Sequence, residues 1–261
     1  MSLEDYIAAT LGRLEAQYHA MTTAFEPPII VKDGSMAWFR YEKQSDVLLC
    51  FLKGVKLVST LNAALVLLRQ GYALEVGALC RMADDFCFEI MFMIKTLDGD
   101  KPSKDQERFF HEFFQEEFEN PDHPLSSSQI RDSVPRRKIF AAFGQLAKEE
   151  LNPSDAQTTL MTIHRTFSGY VHGAYPHIME MYEGKSARFR MSGMSNTRRE
   201  AEWRVQLTMY VYRAIMASEL VSRKLGLKDI ERSIRELLVE YETQLELRGK
   251  ADPETVIRKF K

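Results

Sequence analysis

Residues 46–97 read DVLLCFLKGVKLVSTLNAALVLLRQGYALEVGALCRMADDFCFEIMFMIKTL, and this stretch decides the fold class. Apolar residues recur at helical spacing from Asp46 to Arg69. Gln70-Gly71-Tyr72 reads as a turn, and a second helical pattern runs from about Leu74 to Leu97, stopped by Gly99-Asp100-Lys101-Pro102. Set on a wheel at about 100° per residue, the later helix has a charge-free arc. That arc holds Val76, Leu79, Cys80, Ala83, Phe86, Cys87, Ile90, Met91, Ile94 and Leu97, so it is core and its two cysteines are packing residues. The opposite arc gathers Arg81, Asp85 and Glu89 among Met82, Phe88 and Phe92. Like charges four residues apart are mildly unfavourable on a solvated helix, and phenylalanines interleaved with them imply a cover. The covered arc is either an internal polar network or a binding site.

Outward from this hairpin the chain stays helical. Residues 2–24 carry Leu3, Ile7, Leu11, Leu14, Tyr18 and Met21 at helical spacing, Glu26-Pro27-Pro28 stops that helix, and Ile29 to Gly34 is an extended connector. Residues 1–45 are read as a peripheral helix and connector. Beyond the hairpin, 103–118 is an amphipathic helix, 119–135 a loop of turn formers, and 136–150 a short helix. Ser154 or Asp155 can cap a helix reaching about His172, with Pro176 kinking it or starting the next piece. After a polar loop at 183–196, Thr197 and Glu200 suggest a capping box for a helix to Lys224, and 228–248 closes the bundle after Gly226. No window shows period-2 alternation between hairpin turns. The expectation is an all-α single domain over 1–261, a bundle of about seven to nine helices.

Composition is that of an ordinary globular protein, 45% hydrophobic and 28% charged, and a net charge of −2 supplies no global attraction to nucleic acid or acidic membrane. The N-terminus lacks the basic-then-apolar order of a signal peptide, and the charge-free run Leu57 to Leu68 is too short to span a bilayer. Three cysteines, Cys50, Cys80 and Cys87, fit free thiols in a reducing compartment. A cytoplasmic protein without a membrane partner is expected.

The segment 159–182, TLMTIHRTFSGYVHGAYPHIMEMY, carries the densest chemistry. As a helix it places Arg165, Ser168, Gly169 and His172 on one face and Leu160, Ile163, Phe167, Tyr170 and Val171 on the other. Gly169 removes a side chain between Arg165 and His172, opening room for a ligand or a close helix contact. A guanidinium offers phosphate a planar fork of donors, and an imidazole can move a proton near neutrality. The alternative is structural, with Arg165 paired to a carboxylate and His172 capping a helix end.

Arg165-Thr-Phe-Ser-Gly-Tyr-Val-His172 resembles the R-x4–6-H pattern of the HEPN superfamily, and roughly 50–220 is similar to an uncharacterised HEPN-like helical family. The likeness is carried by the helix and glycine turn of Leu61 to Gly71, by Arg81 with Asp85, and by Ser168-Gly169-Tyr170-Val171-His172-Gly173. The chain departs from the pattern directly after Arg165, where Thr166 stands in place of the usual Asn or Asp. The resemblance implies a helical bundle that binds RNA or cleaves it without metal, in a defence or toxin–antitoxin setting. It further implies a homodimer with the motif at its interface and an antitoxin as a protein partner. In that reading His172 and Arg165 are catalytic, and Arg81, Asp85 and Ser168 support them.

Other motifs are incomplete. Gly184-Lys185-Ser186 lacks the earlier glycine and strand of a P-loop, His111-Glu112 lacks the second histidine of a zincin, and His177 with Glu180 has no partner set. No metal or cofactor is expected. Basic residues gather at Arg131, Arg136, Arg137 and Lys138 and again at Lys185, Arg188, Arg190, Arg198 and Arg199, as solvated loops or an RNA backbone track. Against the RNA reading stand two others: a non-catalytic interaction module whose buried polar network holds the bundle together, and a small-molecule sensor with a Phe- and Met-lined pocket.

Overall fold

In the computed structural model α2 (Asp46–Arg69) and α3 (Ala73–Ile94) form the expected helical hairpin, and the remaining elements are arranged around it. The structure describes residues 1–33, 36–94, 101–118, 123–128, 131–146 and 152–245. Leu97, the stop at Gly99-Asp100, and parts of the segments expected over 119–135, 136–150 and 228–248 lie outside these residues. The other helices are α1 (Leu3–Met21), α4 (Lys104–Phe114), α5 (Arg136–Leu146), α6 (Pro153–His172), α7 (Tyr175–Met179), α8 (Arg198–Lys224) and α9 (Lys228–Gln244). Nine α-helices among the described residues make the protein all-α in character.

Helix starts follow local chemistry. Ser45 accepts from Leu48 N–H at 3.1 Å, and Ser103 with Gln106 forms a reciprocal capping box at the start of α4. The cap of α6 is Asn152, not Ser154 or Asp155: its Oδ1 accepts from both of their N–H groups, and Pro153 fills the first helical position. At α8, Thr197 accepts from Glu200 N–H as a capping box requires, but the Glu200 carboxylate reaches back to Asn196 N–H.

One contiguous core runs through α1, α2, α3, α8 and α9. By length and composition α2 is apolar enough to cross a bilayer, yet here it is the helix against which α1, α3 and α8 pack. The six apolar positions read from the sequence of α1 are all buried, against α2, α8 and α9. This corrects the expectation of a peripheral N-terminal helix: α1 is a layer of the core. The rest of 1–45 is also not a bare connector. Ile29–Asp33 (β1) and Met36–Arg40 (β2) pair antiparallel, tied to the body by Arg40 to Glu116 at 2.5 and 2.6 Å. Ile29, Ile30 and Phe39 are all exposed, so neither face of the hairpin is fully buried and no period-2 pattern marked it. A second short pair, β3 (Tyr182–Glu183) with β4 (Arg188–Phe189), lies in the expected polar loop.

The other side of α3 is covered by α5 and α6, which pack on each other and on α3. The central helix is therefore packed on both arcs, with Met82 of the charged arc left exposed. The cysteines read as core residues are buried free thiols, and burial pushes Cys87 up to about 12 and Cys50 and Cys80 well above the usual thiol range.

Close helix contact is built in at Gly54 of α2. A Cβ there would lie 2.0 Å from the Tyr18 hydroxyl oxygen, which Ser218 meets at 3.1 Å from α8. Alanine normally gains about 1 kcal/mol over glycine inside a helix. Here the clash reverses the sign, and Gly54→Ala is expected to lower stability by about 1–3 kcal/mol in urea unfolding. A stabilised variant would show that α1 does not approach α2 as described.

Candidate functional site

The inward arc of α3 carries a chain of ion pairs. Arg81 pairs with Asp85 one turn on, and Arg136, the first residue of α5, reaches Glu89 at 2.6 Å and Asp85 at 3.4 Å. Lys53 of α2 approaches Glu89 from the other direction at 2.6 Å. Arg81 and Glu89 are buried, at 8% and 3% exposure. Beside this chain Arg213 of α8 pairs with Asp84 at 3.3 Å and stacks over Tyr210. A void of about 30 Å³ bounded by Arg81, Asp84, His164 and Arg213 is room for a single water molecule.

His164 of α6 closes the network, with its Nε2 in hydrogen-bond contact with Arg81 Nη2. A guanidinium can only donate, so Nε2 accepts and the ring is neutral with its proton on Nδ1. Its separation of 3.7 Å from Asp85 is then a contact between a neutral ring and a carboxylate. Burial first, and the Arg81 charge second, hold the His164 pKa below the usual histidine range. Phe140 of α5 meets the ring edge-on. Asp84 is shifted the other way: burial raises it to about 6, opposed by Arg213.

The structure separates the residues that the sequence reading joined. Arg81 and Asp85 lie in the enclosed network, whereas Arg165 and His172 are exposed on the outer face of α6. Neither side chain makes a hydrogen bond or ion pair among the described residues, so no described carboxylate pairs with Arg165. Ser168 does not stand with them: its hydroxyl donates to His164 O at 2.8 Å on the half-buried side. Of the apolar cover expected for α6, Leu160, Phe167 and Tyr170 face inward while Ile163 and Val171 are exposed. His164 was missed although it falls between Leu160 and Phe167 on the apolar stripe, the position of a histidine with a buried partner.

Helix α6 ends at His172 because Gly173 adopts a left-handed conformation, φ 61°, and its N–H returns to Gly169 O. The chain then folds α7 back so that His177 covers Gly169. A Cβ on Gly169 would stand 2.2 Å from the His177 ring, so the glycine serves a close contact and not a ligand. His177 lies against the Tyr170 ring at 3.9 Å and makes its polar contacts to Thr166 O at 3.1 Å and Glu180 at 3.5 Å. Glu180 also receives Arg199 at 2.7 Å.

Six of the nine residues in the basic clusters meet carboxylates, and Arg131, Arg137 and Lys185 meet none among the described residues. Lys138 pairs with Asp105, Arg136 with Glu89 and Asp85, Arg188 and Arg190 with Glu183, and Arg198 and Arg199 with Glu202. Below Lys53 and Arg136, between α3, α4, α5 and residues 131–135, a cleft of about 600 Å³ opens to solvent.

No protein-family model, curated protein or solved structure matches this chain.

The two shifted groups pull stability in opposite directions with pH. Asp84 has a folded pKa above its unfolded 3.8, so its favourable contribution is complete below pH 3.8 and lost as pH rises through about 6. His164 is depressed, so its contribution is complete above 6.5 and lost as pH falls through its folded value. Urea unfolding from pH 4 to 7 should show Asp84→Asn gaining on the unsubstituted protein by on the order of 3 kcal/mol as pH rises. His164→Gln should gain on it as pH falls below 6.5. Gaps that stay constant across the range would mean that neither group is buried in the charge state described.

Proposed function

We propose that this chain is a HEPN-like helical protein that engages RNA through the outer face of α6, with Arg165 and His172 as the working groups. The observation that carries the reading is their shared condition. Both are exposed, seven residues apart on one side of the helix, and without a hydrogen-bond or ion-pair partner among the described residues, while six of the nine clustered basic residues meet carboxylates.

The chemistry available to such a pair is metal-independent. His172 takes the proton from a ribose 2′-hydroxyl, whose oxygen attacks the adjacent phosphorus. The bond from phosphorus to the 5′-oxygen breaks to leave a 2′,3′-cyclic phosphate, and the departing 5′-oxygen takes a proton from water. Arg165 donates to the non-bridging oxygens as their charge grows. Arg81 and Asp85 act at one remove, by fixing α6 through His164. Val171 and Ile178 are exposed at the same end of α6 as His172, apolar side chains that a second copy in a homodimer would cover. A protein partner such as an antitoxin would act by occupying the same face. The buried free thiols fit a reducing, cytoplasmic setting.

A second reading, a non-catalytic interaction module, is favoured by the enclosure of the Arg81, Asp85 and His164 network. Incubation with a labelled single-stranded RNA separates the two. The RNA reading expects cleavage that falls by roughly 10²-fold or more in both Arg165→Ala and His172→Ala, with thermal melts unchanged because neither side chain is packed. An unsubstituted protein that neither cuts nor binds RNA in a salt-dependent way would leave the module as the function.

A further inference from the structure

Beyond α6 the chain leaves aromatic rings on the surface. Tyr175, Tyr182 and Phe189 are 76%, 41% and 42% exposed. Two of them belong to one hairpin: Tyr182 of β3 stands opposite Phe189 of β4, with ring centroids 5.2 Å apart. A Cβ on Gly184 at the hairpin's tip would meet nothing within 4 Å, so the tip stands clear of the fold. Only Glu180 and Met181 separate α7 from β3. The Tyr170 hydroxyl donates to Glu180 at 3.4 Å, and His177 lies on Gly169, which shares the helix face of Arg165 and His172. The rings therefore stand at the end of α6 that carries His172.

The charges that accompany the rings are mainly positive. From residue 161 to residue 196 the chain has four cations, Arg165, Lys185, Arg188 and Arg190, against two carboxylates, Glu180 and Glu183. Both carboxylates are engaged within the fold, Glu183 by Ser186, Arg188 and Arg190 and Glu180 by His177 and Arg199. Lys185 and Arg165 meet no carboxylate among the described residues. The Arg188 side chain is 74% exposed even in its contact with Glu183. Flat apolar faces with cations beside them match a partner that alternates flat bases with phosphates. A paired RNA helix keeps its bases stacked on one another and offers these rings nothing to lie against. A second copy of the chain fits less well, because a two-fold contact would set each excess of positive charge against its own image.

We infer that the hairpin of β3 and β4 is a base-stacking platform for single-stranded RNA. Tyr182 and Phe189 lie against bases, Tyr175 offers a further ring toward α6, and Lys185 and Arg188 meet the phosphates between. The inference rests on the α6 reading, in which the same strand runs on to Arg165 and His172. It adds the form of RNA that is taken and the groups that hold it.

The test is fluorescence anisotropy of the full chain with a labelled 2′-O-methyl RNA of about twelve nucleotides and with its duplex. The methylated strand lacks the attacking hydroxyl and so reports binding alone. The single strand is expected to bind at least tenfold more tightly than the duplex. Tyr182→Leu with Phe189→Leu keeps apolar bulk but removes both flat rings, and should weaken the single strand at least fivefold at an unchanged melting temperature. Phe189→Trp, which enlarges the ring, should bind no more weakly than the unsubstituted protein. Lys185→Gln should reduce the salt dependence by about one phosphate contact. Duplex binding as tight as that of the single strand overturns the platform. So does affinity that the paired Leu substitutions leave unchanged, and in either case the α6 reading still stands on its own cleavage assay. Sedimentation of the same variant tests the other occupant: a dimer that becomes monomeric with its RNA affinity unaltered assigns the rings to self-association instead. Failure to bind either RNA overturns the platform, and with no cleavage by the unsubstituted protein the α6 reading falls too.

Discussion

Charges on a helix that is covered on both sides must find partners inside the protein, and this constraint on α3 organises the rest. One arc of α3 faces α2 and α8 and is apolar; the other faces α5 and α6 and carries Arg81, Asp85 and Glu89. None of the three can be solvated as on an outer helix, and an unpaired ion in such a place costs several kcal/mol. The partners come from three different elements, Lys53 of α2, Arg136 of α5 and His164 of α6. The network therefore sets the register of α5 and α6 on α3. Loss of one member is more serious than its individual contacts suggest, because it strands the others.

Much of this was legible in residues 46–97. The apolar arc of α3, the burial of its cysteines, and the cover over the charged arc follow from helical periodicity and from the phenylalanines among the charges. The identity of the cover was not legible. Arg136 and Lys53 are far from Glu89 in sequence, and each looks like an ordinary surface charge until the fold brings them together. The hairpin of β1 and β2 was invisible for a related reason. Alternation is written into a strand only when one face is buried, and Ile29, Ile30 and Phe39 are all exposed. The misplacement of α1 as peripheral came from its position before a proline break, although its six apolar residues already described a core face.

The α6 segment shows how adjacent residues divide between structure and free chemistry. At about 100° per residue, His164 and Arg165 point to different sides of the same helix. The first is drawn inward by its place between Leu160 and Phe167 and becomes the acceptor for Arg81. The second, with His172, is left on the outside. Gly169 lies on the boundary, and α7 uses the missing side chain to fold His177 against Tyr170, which ties the end of α6 to its own return.

This division bears on what the arginine–histidine pattern can mean here. Arg81 and Asp85, which the sequence suggested as support for the same site, are committed to holding α6 and cannot reach across the helix to its outer face. Whatever Arg165 and His172 do, they do it with groups supplied from outside the described chain: a ligand, a second copy, or a partner. The inner network has the opposite property. Its charges are paired with one another inside the fold. The double cover of α3 turns one set of charges inward, where they are paired, and leaves Arg165 and His172 of α6 exposed on the outside.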